Sequence, residues 1–231
     1  MSFIDEIRRE VVLEAMKDYK YLLNRGYPQT LALNTVTTRY MLTKKERLLL
    51  YRTVHNDTHV YTILRKIVNP KDISGQPLLI DGYNVILTIK AAVMCEYVYE
   101  SDDTFLRDLL AVHGGVKYDE HFRKALEILI FNLRKLNASY TLITLDKQVS
   151  KSGELASLIR ELLRRNNIKG DAETVIKNDA FIIGIAEKYI VCTSDVVILL
   201  KAKKVFDLAG YIIRELMPNK VIRLKIPYST R

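Results

Sequence analysis

Three short runs of strand-forming residues, each followed directly by an aspartate, constrain the fold of this chain more than any other feature. The runs cover residues 78–80, 141–145 and 189–194, and they are followed by Asp81, Asp146 and Asp195. Runs of this length are typical of strands buried on both faces of a parallel sheet. Because the carboxyl ends of parallel strands lie at one edge of the sheet, we expect these three carboxylates to lie close together there.

A cluster of carboxylates needs a cation, because like charges at close range repel and raise one another's pKa. Oxygen ligands of this kind favour Mg²⁺ or Mn²⁺. The strand ends therefore predict a divalent metal site at the carboxyl edge of the sheet. The alternative for Asp81 is structural, with its side chain capping the helix that follows it.

A fourth aspartate, Asp179, is expected near the same edge. Residues 172–177 are predicted as a strand, and residues 178–187 as a helix with Asn178 as its N-cap. Asp179 then lies in the first turn of that helix, close to the strand ends. The alternative is that its charge only complements the helix dipole.

The order of the predicted elements indicates an α/β protein with a mainly parallel sheet, preceded by an all-helical region. A helix over residues 119–136 lies between the first two strands, which completes a β-α-β unit. The N-terminal part shows only helical patterns, with Thr43 and Glu46 spaced as a capping box. A packed bundle is the ordinary interpretation of such helices, and a DNA-reading helix-turn-helix is the alternative.

A linker is predicted between these two parts. Residues 69–77 contain two prolines and one glycine, which interrupt helix and strand patterns. We therefore expect a basic helical region over residues 1–70 and an α/β domain over residues 71–231.

The charge balance favours a polyanionic partner. Lys and Arg number 36 against 27 Asp and Glu, which gives a net charge of +9 and a pI near 9.4. A basic surface of this size attracts nucleic acid. The two cysteines, Cys95 and Cys192, form no CxxC pair, which argues against a structural zinc site and a disulfide scaffold. No signal peptide or long apolar segment is evident, so we expect a cytoplasmic protein without a membrane span.

Two further segments carry candidate binding residues. The loop over residues 147–153 is basic, rich in hydroxyls and followed by a predicted helix, so it is a candidate anion site. The alternative is that Ser152 is only the N-cap of that helix. The candidates in this loop are Lys147, Ser150, Lys151 and Ser152. Residues 101–108 contain several acids, which we expect to reach the aspartate cluster. The alternative is that Ser101 or Asp102 caps a helix that runs on through Leu110. The candidates there are Asp102, Asp103, Arg107 and Asp108.

These residues together resemble the PIN-like nuclease superfamily, and in particular its NYN-type branch. The resemblance covers roughly residues 77–230. It rests on Asp81-Gly82-Tyr83-Asn84, on Asp146, on Asn178-Asp179-Ala180, and on Thr193-Ser194-Asp195. The helical N-terminal region, the Asp-Asp…Arg-Asp segment and the Ser-x-Ser-Gly loop are similar to those of a mostly archaeal PIN-like group.

The resemblance implies a three-layer α/β/α fold and hydrolysis of phosphodiester bonds in RNA, assisted by Mg²⁺ or Mn²⁺. On this interpretation Asp81, Asp179 and Asp195 hold the metal, and Asp146 is a fourth catalytic candidate. The side chains of Asn84, Thr193 and Ser194 orient carboxylates or phosphate. The basic residues hold the RNA, which is either single-stranded or structured. We expect no membrane partner, and a homodimer is a candidate assembly.

Three other classes stay open at this point. One is an RNA-binding protein on a PIN-like scaffold that does not cleave, since fold does not determine function. Another is a receiver-type or phosphatase-type domain with an acidic magnesium pocket, which calls for a second acid two residues after Asp81, where this chain has Tyr83. The last is a basic interaction module for ribosomes or other assemblies.

Overall fold

The computed structural model describes residues 7–110 and 116–224, and it contains four N-terminal helices followed by an α/β unit. The N-terminal helices are α1 (Arg9–Asn24), α2 (Gln29–Tyr40), α3 (Lys44–Thr53) and α4 (Asp57–Leu64). The remaining elements are β1 (Pro77–Asp81), α5 (Gly82–Val93), β2 (Val98–Glu100), β3 (Leu106–Arg107), α6 (Glu120–Leu136), β4 (Tyr140–Asp146), α7 (Ser152–Arg165), β5 (Gly170–Val175), α8 (Asn178–Ile185), β6 (Ile190–Cys192), α9 (Val196–Lys201), β7 (Lys204–Val205), α10 (Leu208–Leu216) and β8 (Val221–Arg223).

The N-terminal helices start where the sequence supplies caps. Thr43 forms the predicted capping box, since its side chain accepts from the Glu46 amide while the Glu46 carboxylate accepts from the Thr43 amide. Asn56 caps α4 by accepting from the amide of His59. The bundle then buries one apolar face of each of its first three helices in a shared core, as amphipathic helices do.

The main sheet has five strands in the order β5-β4-β1-β6-β7, and all of its neighbouring pairs are parallel. The predicted α/β class with a parallel sheet and a helical N-terminal region is confirmed. In β1, Leu78 and Ile80 pack on one face with residues of α5, α6, α7 and α10. Leu79 packs on the other face with residues of α4, α8 and α9. Helices therefore cover both faces, which explains why this strand is apolar without alternation.

The strand order places a topological switch point at β1. β4 is the next strand of this sheet along the chain, and it pairs with one side of β1. β6 pairs with the other side. Ligands of open α/β sheets bind in the crevice outside the carboxyl ends at such a point. Asp81 ends β1 at that crevice.

The alternative of a helix from Ser101 or Asp102 through Leu110 is wrong. This segment forms an antiparallel hairpin in which Tyr99 pairs with Arg107, and β8 pairs with β2 from the other side. Thr104 closes the turn with φ 71°, a left-handed conformation that breaks a helix. Residues 111–115, which include Gly114 and Gly115, lie outside the described residues.

The hairpin also joins the N-terminal helices to the sheet. The Ser101 hydroxyl and the Asp102 amide both donate to the carbonyl of Thr53, at 2.9 and 3.0 Å. Tyr99 and Leu109 are buried in the same core as the N-terminal helices. The division at residue 70 stays a prediction, and in the structure the two parts share packing. No helix in the described ranges combines the length and apolarity that crossing a bilayer requires.

Candidate functional site

Asp81 occupies the centre of the crevice at the end of β1. Its side chain is buried, with 7% of the residue exposed. Its Oδ1 accepts from Nδ2 of Asn178 at 3.1 Å, and its Oδ2 accepts from the hydroxyl of Thr193 at 3.0 Å. It makes no side-chain cap for α5, although it stands at the N-cap position. The structure therefore uses this carboxylate between β1, β6 and α8 and not as a helix cap.

The electrostatics of Asp81 reflect this burial. Burial raises the pKa of Asp81 to about 7, and the charges of Asp179 and Asp195 add to the increase, while the hydrogen bond from Thr193 opposes it. The pKa of Asp179 is also raised, first by partial burial and then by Asp195 and Asp146. Asp179 and Asp195 thus act on Asp81 through space, and Asp146 acts on Asp179. A cation would relieve this repulsion.

Asp195 and Asp146 each use one oxygen to hold a turn. Oδ1 of Asp195 caps α9 by accepting from the amides of Val197 and Ile198, at 2.8 and 3.1 Å. Oδ1 of Asp146 accepts from the amide of Gln148 at 2.8 Å. These bonds orient both carboxyl groups at the strand ends without engaging Oδ2.

Asn84 and Ser194 connect the first turn of α5 to the loop after β6. Oδ1 of Asn84 accepts from the amide of Ser194 at 2.8 Å and from its hydroxyl at 3.0 Å. The backbone amide of Asn84, in the first turn of α5, also acts to lower the pKa of Asp81. The residues predicted to orient the carboxylates therefore lie beside Asp81, and their role in binding stays a prediction.

The expectation that the acids of residues 101–108 reach the cluster is wrong for Asp103 and Asp108. Asp103 forms a buried two-bond pair with Arg107, at 2.7 and 2.6 Å. Asp108 accepts from the hydroxyl of Thr88 at 2.9 Å and lies 3.7 Å from Nη1 of Arg52. A buried carboxylate needs such partners, and these acids are neutralised by their own neighbours.

Asp102 is likewise engaged away from the cluster. Its Oδ2 accepts from Nζ of Lys20 and from the amide of His55, at 2.9 and 2.8 Å. Arg107 does approach the site, because its Nε donates to the carbonyl of Ser194 at 3.0 Å. Of this segment, only Arg107 therefore contributes directly to the loop that carries Asp195.

The basic loop after β4 lies at the same edge as Asp146. Lys147, Ser150 and Lys151 are exposed, and the carbonyl of Ser150 accepts from the hydroxyl of Tyr118 at 2.8 Å. The alternative that Ser152 is an N-cap is wrong. Ser152 is the first residue of α7, and the N-cap position belongs to Lys151, with φ 62° and no side-chain cap. The amide of Ser152 donates to the carbonyl of Val149 at 3.1 Å, so the first N–H of α7 already has a partner within the loop.

Sequence reasoning missed the role of Asn178. It was expected as a helix cap, but it is the first residue of α8, and its side chain points to Asp81. Its Oδ1 is buried and has no hydrogen-bond partner among the described residues. A buried amide oxygen without a donor is a fitting ligand for a hard cation. The available signal was its position next to Asp179 at the end of a strand.

A Mg²⁺ or Mn²⁺ ion at this crevice needs oxygen donors from the residues around it. Within residues 7–110 and 116–224, no three His, Cys, Asp or Glu side chains come close enough to hold a metal ion by themselves. Mg²⁺ commonly takes only one or two carboxylates and keeps several waters. The carboxylates of Asp81 and Asp195 and Oδ1 of Asn178, unpartnered within the described ranges, are oxygen donors of the kind that this mode of binding uses.

The fold and this crevice define an α/β protein with a helical N-terminal region packed beside its sheet. At the switch point of the sheet lies a group of acids, called here the aspartate pocket, formed by Asp81, Asp146, Asp179 and Asp195. By sequence, the chain belongs to the family described as "Domain of unknown function (DUF5616)", which matches residues 70–211. Residues 11–66 match the description "Protein of unknown function (DUF434)".

A relative from Methanocaldococcus jannaschii, described as "Uncharacterized protein MJ0935", is 38% identical over 186 residues. The match covers 80% of this chain and 88% of the relative, so it extends over at least part of both the helical region and the α/β unit. No solved structure matches this chain.

Proposed function

We propose that this protein is a divalent-metal-dependent ribonuclease that hydrolyses phosphodiester bonds of RNA at the aspartate pocket, on a PIN-like scaffold. The observation that carries the proposal is the electrostatic coupling of Asp81, Asp179 and Asp195 at the switch point. Burial and the two neighbouring charges raise the pKa of Asp81 to about 7, so the pocket disfavours its own ionised form. Sites that perturb a carboxylate in this way are candidates for chemistry.

The residues around the pocket support a hard cation. Asp81, Asp179 and Asp195 would hold Mg²⁺ or Mn²⁺, with Oδ1 of Asn178 as a neutral oxygen ligand. When bound, such an ion supplies an activated water and offsets negative charge on the scissile phosphate. The protein's contribution is to orient the carboxylates, since the hydroxyl of Thr193 and the amide of Asn178 fix the two oxygens of Asp81.

The charge of the protein supports a polyanionic substrate, and the resemblance to PIN-like nucleases implies that this substrate is RNA. The chain carries a net charge of +9, and the exposed Lys147 and Lys151 lie on the loop that follows Asp146. Basic side chains next to an acidic pocket hold a phosphate backbone while the acids hold the metal. Binding of RNA is therefore expected to weaken as the salt concentration rises.

The test compares wild type with the double variant Asp81→Asn, Asp195→Asn on a labelled single-stranded RNA with Mn²⁺. Wild type cleaves and the double variant does not, because both metal-holding carboxylates are lost. Asp171→Asn is the matched control, since Asp171 lies in the second position of β5, towards the amino edge of the same sheet. Equal cleavage by wild type and the double variant would reject the assignment.

A second candidate function is a non-cleaving RNA-binding protein on the same scaffold. It is favoured by the absence, among the described residues, of three acidic, His or Cys side chains gathered around one point. The same assay separates the two functions. Salt-dependent RNA binding without cleavage by either protein would support the second candidate.

A further inference from the structure

A cleft of about 560 Å³ lies between the N-terminal helices and the edge of the sheet that carries Asp195. Its volume is in the range of small-molecule sites, about 300 to 1,000 Å³. On the sheet side it is lined by Asp195, which belongs to the aspartate pocket, and by Asn84 and Ser194, which lie beside that pocket. A group held in the cleft is therefore next to anything held in that pocket.

The opposite wall comes from the helical region and is aromatic. Tyr27 and Tyr51 line the cleft and are 49% and 48% exposed. Gln29 and His59 line it as well and offer groups that donate and accept hydrogen bonds. Exposed rings with polar groups beside them suit a flat heterocycle, which stacks on the rings and bonds at its edges.

The interior of the cleft suits a neutral group better than a phosphate. Arg107 and Arg52 line it, but Arg107 is paired with Asp103, and Arg52 lies 3.7 Å from Asp108. His55 also lines it, is 5% exposed, and burial lowers its pKa to about 3, so the imidazole is neutral. Its Nε2 has no hydrogen-bond partner within the described part of the chain. The cations of the cleft are thus already neutralised by their own partners.

We propose that this cleft, called here the tyrosine cleft, binds the base of an unpaired nucleotide whose neighbouring phosphodiester lies at the aspartate pocket. The nucleotide is unpaired because a base inside a duplex cannot offer its face to a protein ring. The placement of the phosphodiester rests on the proposed function, whereas the base-binding role of the tyrosines does not. The N-terminal helical region thereby selects single-stranded substrate for the α/β unit.

The test measures the dissociation constant of a short fluorescein-labelled single-stranded oligoribonucleotide in EDTA, so that binding is read without cleavage. Tyr27→Ala and Tyr51→Ala are each expected to weaken binding about 5- to 100-fold, the range that loss of one base–ring stack produces. Tyr51→Phe keeps the ring and is expected to bind like wild type. Tyr140→Ala is the matched control, since Tyr140 is exposed at the amino end of β4, away from the cleft.

The same strand annealed to its complement supplies the second measurement. Its affinity is expected to be unchanged in the tyrosine variants, because a paired base does not enter the cleft. The proposal is overturned if Tyr140→Ala weakens binding as much as Tyr51→Ala, if the duplex shows the same loss, or if neither cleft variant changes the affinity. Thermal unfolding of each variant confirms that it is folded.

A separate cleavage assay with Mn²⁺ distinguishes this inference from the proposed function. Tyrosine-dependent binding without cleavage supports the cleft and rejects the nuclease. Cleavage with tyrosine-independent binding supports the nuclease and rejects the cleft.

Discussion

Arg107 donates a hydrogen bond of 3.0 Å from Nε to the carbonyl of Ser194. Its other guanidinium nitrogens bind both oxygens of Asp103, and both side chains are almost fully buried. The hairpin of β2 and β3 is thereby fastened to the loop that carries Asp195. The amide of Ser194 in turn donates to Oδ1 of Asn84. Arg107, which lies outside the main sheet, therefore helps to position the residues of the aspartate pocket.

Breaking the pair of Arg107 and Asp103 is expected to destabilise the fold strongly. Arg107→Met leaves a buried carboxylate without its partner, which costs about 3 to 5 kcal/mol. Urea unfolding measures the loss. Lys203→Met is the control, because Lys203 and Glu187 form an exposed pair, worth about 0 to 1 kcal/mol. Similar losses in the two variants would contradict the structural role assigned to Arg107.

Asp81→Asn is expected to stabilise the metal-free protein above neutral pH. The pKa of Asp81 is about 7 in the folded protein against an ordinary value of 3.8, so folding disfavours its ionised form. This penalty is absent below pH 3.8, grows as the pH rises, and is complete above about pH 7. We expect a gain of about 1 to 3 kcal/mol at pH 8 in EDTA.

The gain should fall to about a quarter of its pH 8 value at pH 4.5, and urea unfolding at the two pH values measures it. Asp171→Asn controls for a general effect of removing a surface charge. A destabilised Asp81→Asn at pH 8 in EDTA would show that the ionised carboxylate is well satisfied by Asn178 and Thr193 alone.

Glu46 is expected to make stability sensitive to acid. Burial by itself raises the pKa of Glu46, but hydrogen bonds from Arg8 and from the Thr43 amide outweigh it and lower the pKa from 4.5 to about 2. The ionised form therefore stabilises the fold fully above pH 4.5, and this contribution is lost as the pH falls towards 2.

Glu46→Gln should consequently cost about 1 to 2 kcal/mol at pH 7, because a charge-assisted cap is lost. The difference from wild type should be much smaller at pH 3. Thermal unfolding at both pH values measures it, with the exposed Glu14→Gln as control. A difference that does not depend on pH would show that the charge of Glu46 is unimportant.

Gly82→Ala is expected to disturb the aspartate pocket through packing. A Cβ at Gly82 would lie 2.6 Å from Cδ2 of Leu145 and 3.0 Å from the carbonyl oxygen of Thr144. The start of α5 must then move away from β4, at a cost of about 1 to 3 kcal/mol. Gly153→Ala, where nothing lies within 4 Å, should be neutral or stabilising. Thermal unfolding of both variants checks this, and equal melting temperatures would contradict the close approach.

Local sequence predicted much of the backbone. The run before Asp81, the capping box at Thr43 and the amphipathic helix that ends at Leu136 all follow from patterns within a few residues. The hairpin of β2 and β3 did not, because its turn is held by Thr53 and Arg214, which lie far from it along the chain. The ion pairs of Asp102 with Lys20 and of Asp103 with Arg107 have no signature in a local pattern.

The sequence by itself determined that β1 and β4 end in Asp81 and Asp146, because apolar runs and the acids after them are features of neighbouring positions. Only the tertiary structure decided that Asn178 turns to Asp81 and does not cap its helix, and that Asp103 and Asp108 are taken by arginines. The physical reason is that a buried polar group takes the partner that the fold places within reach, and that partner is set by strand order and packing across the whole chain.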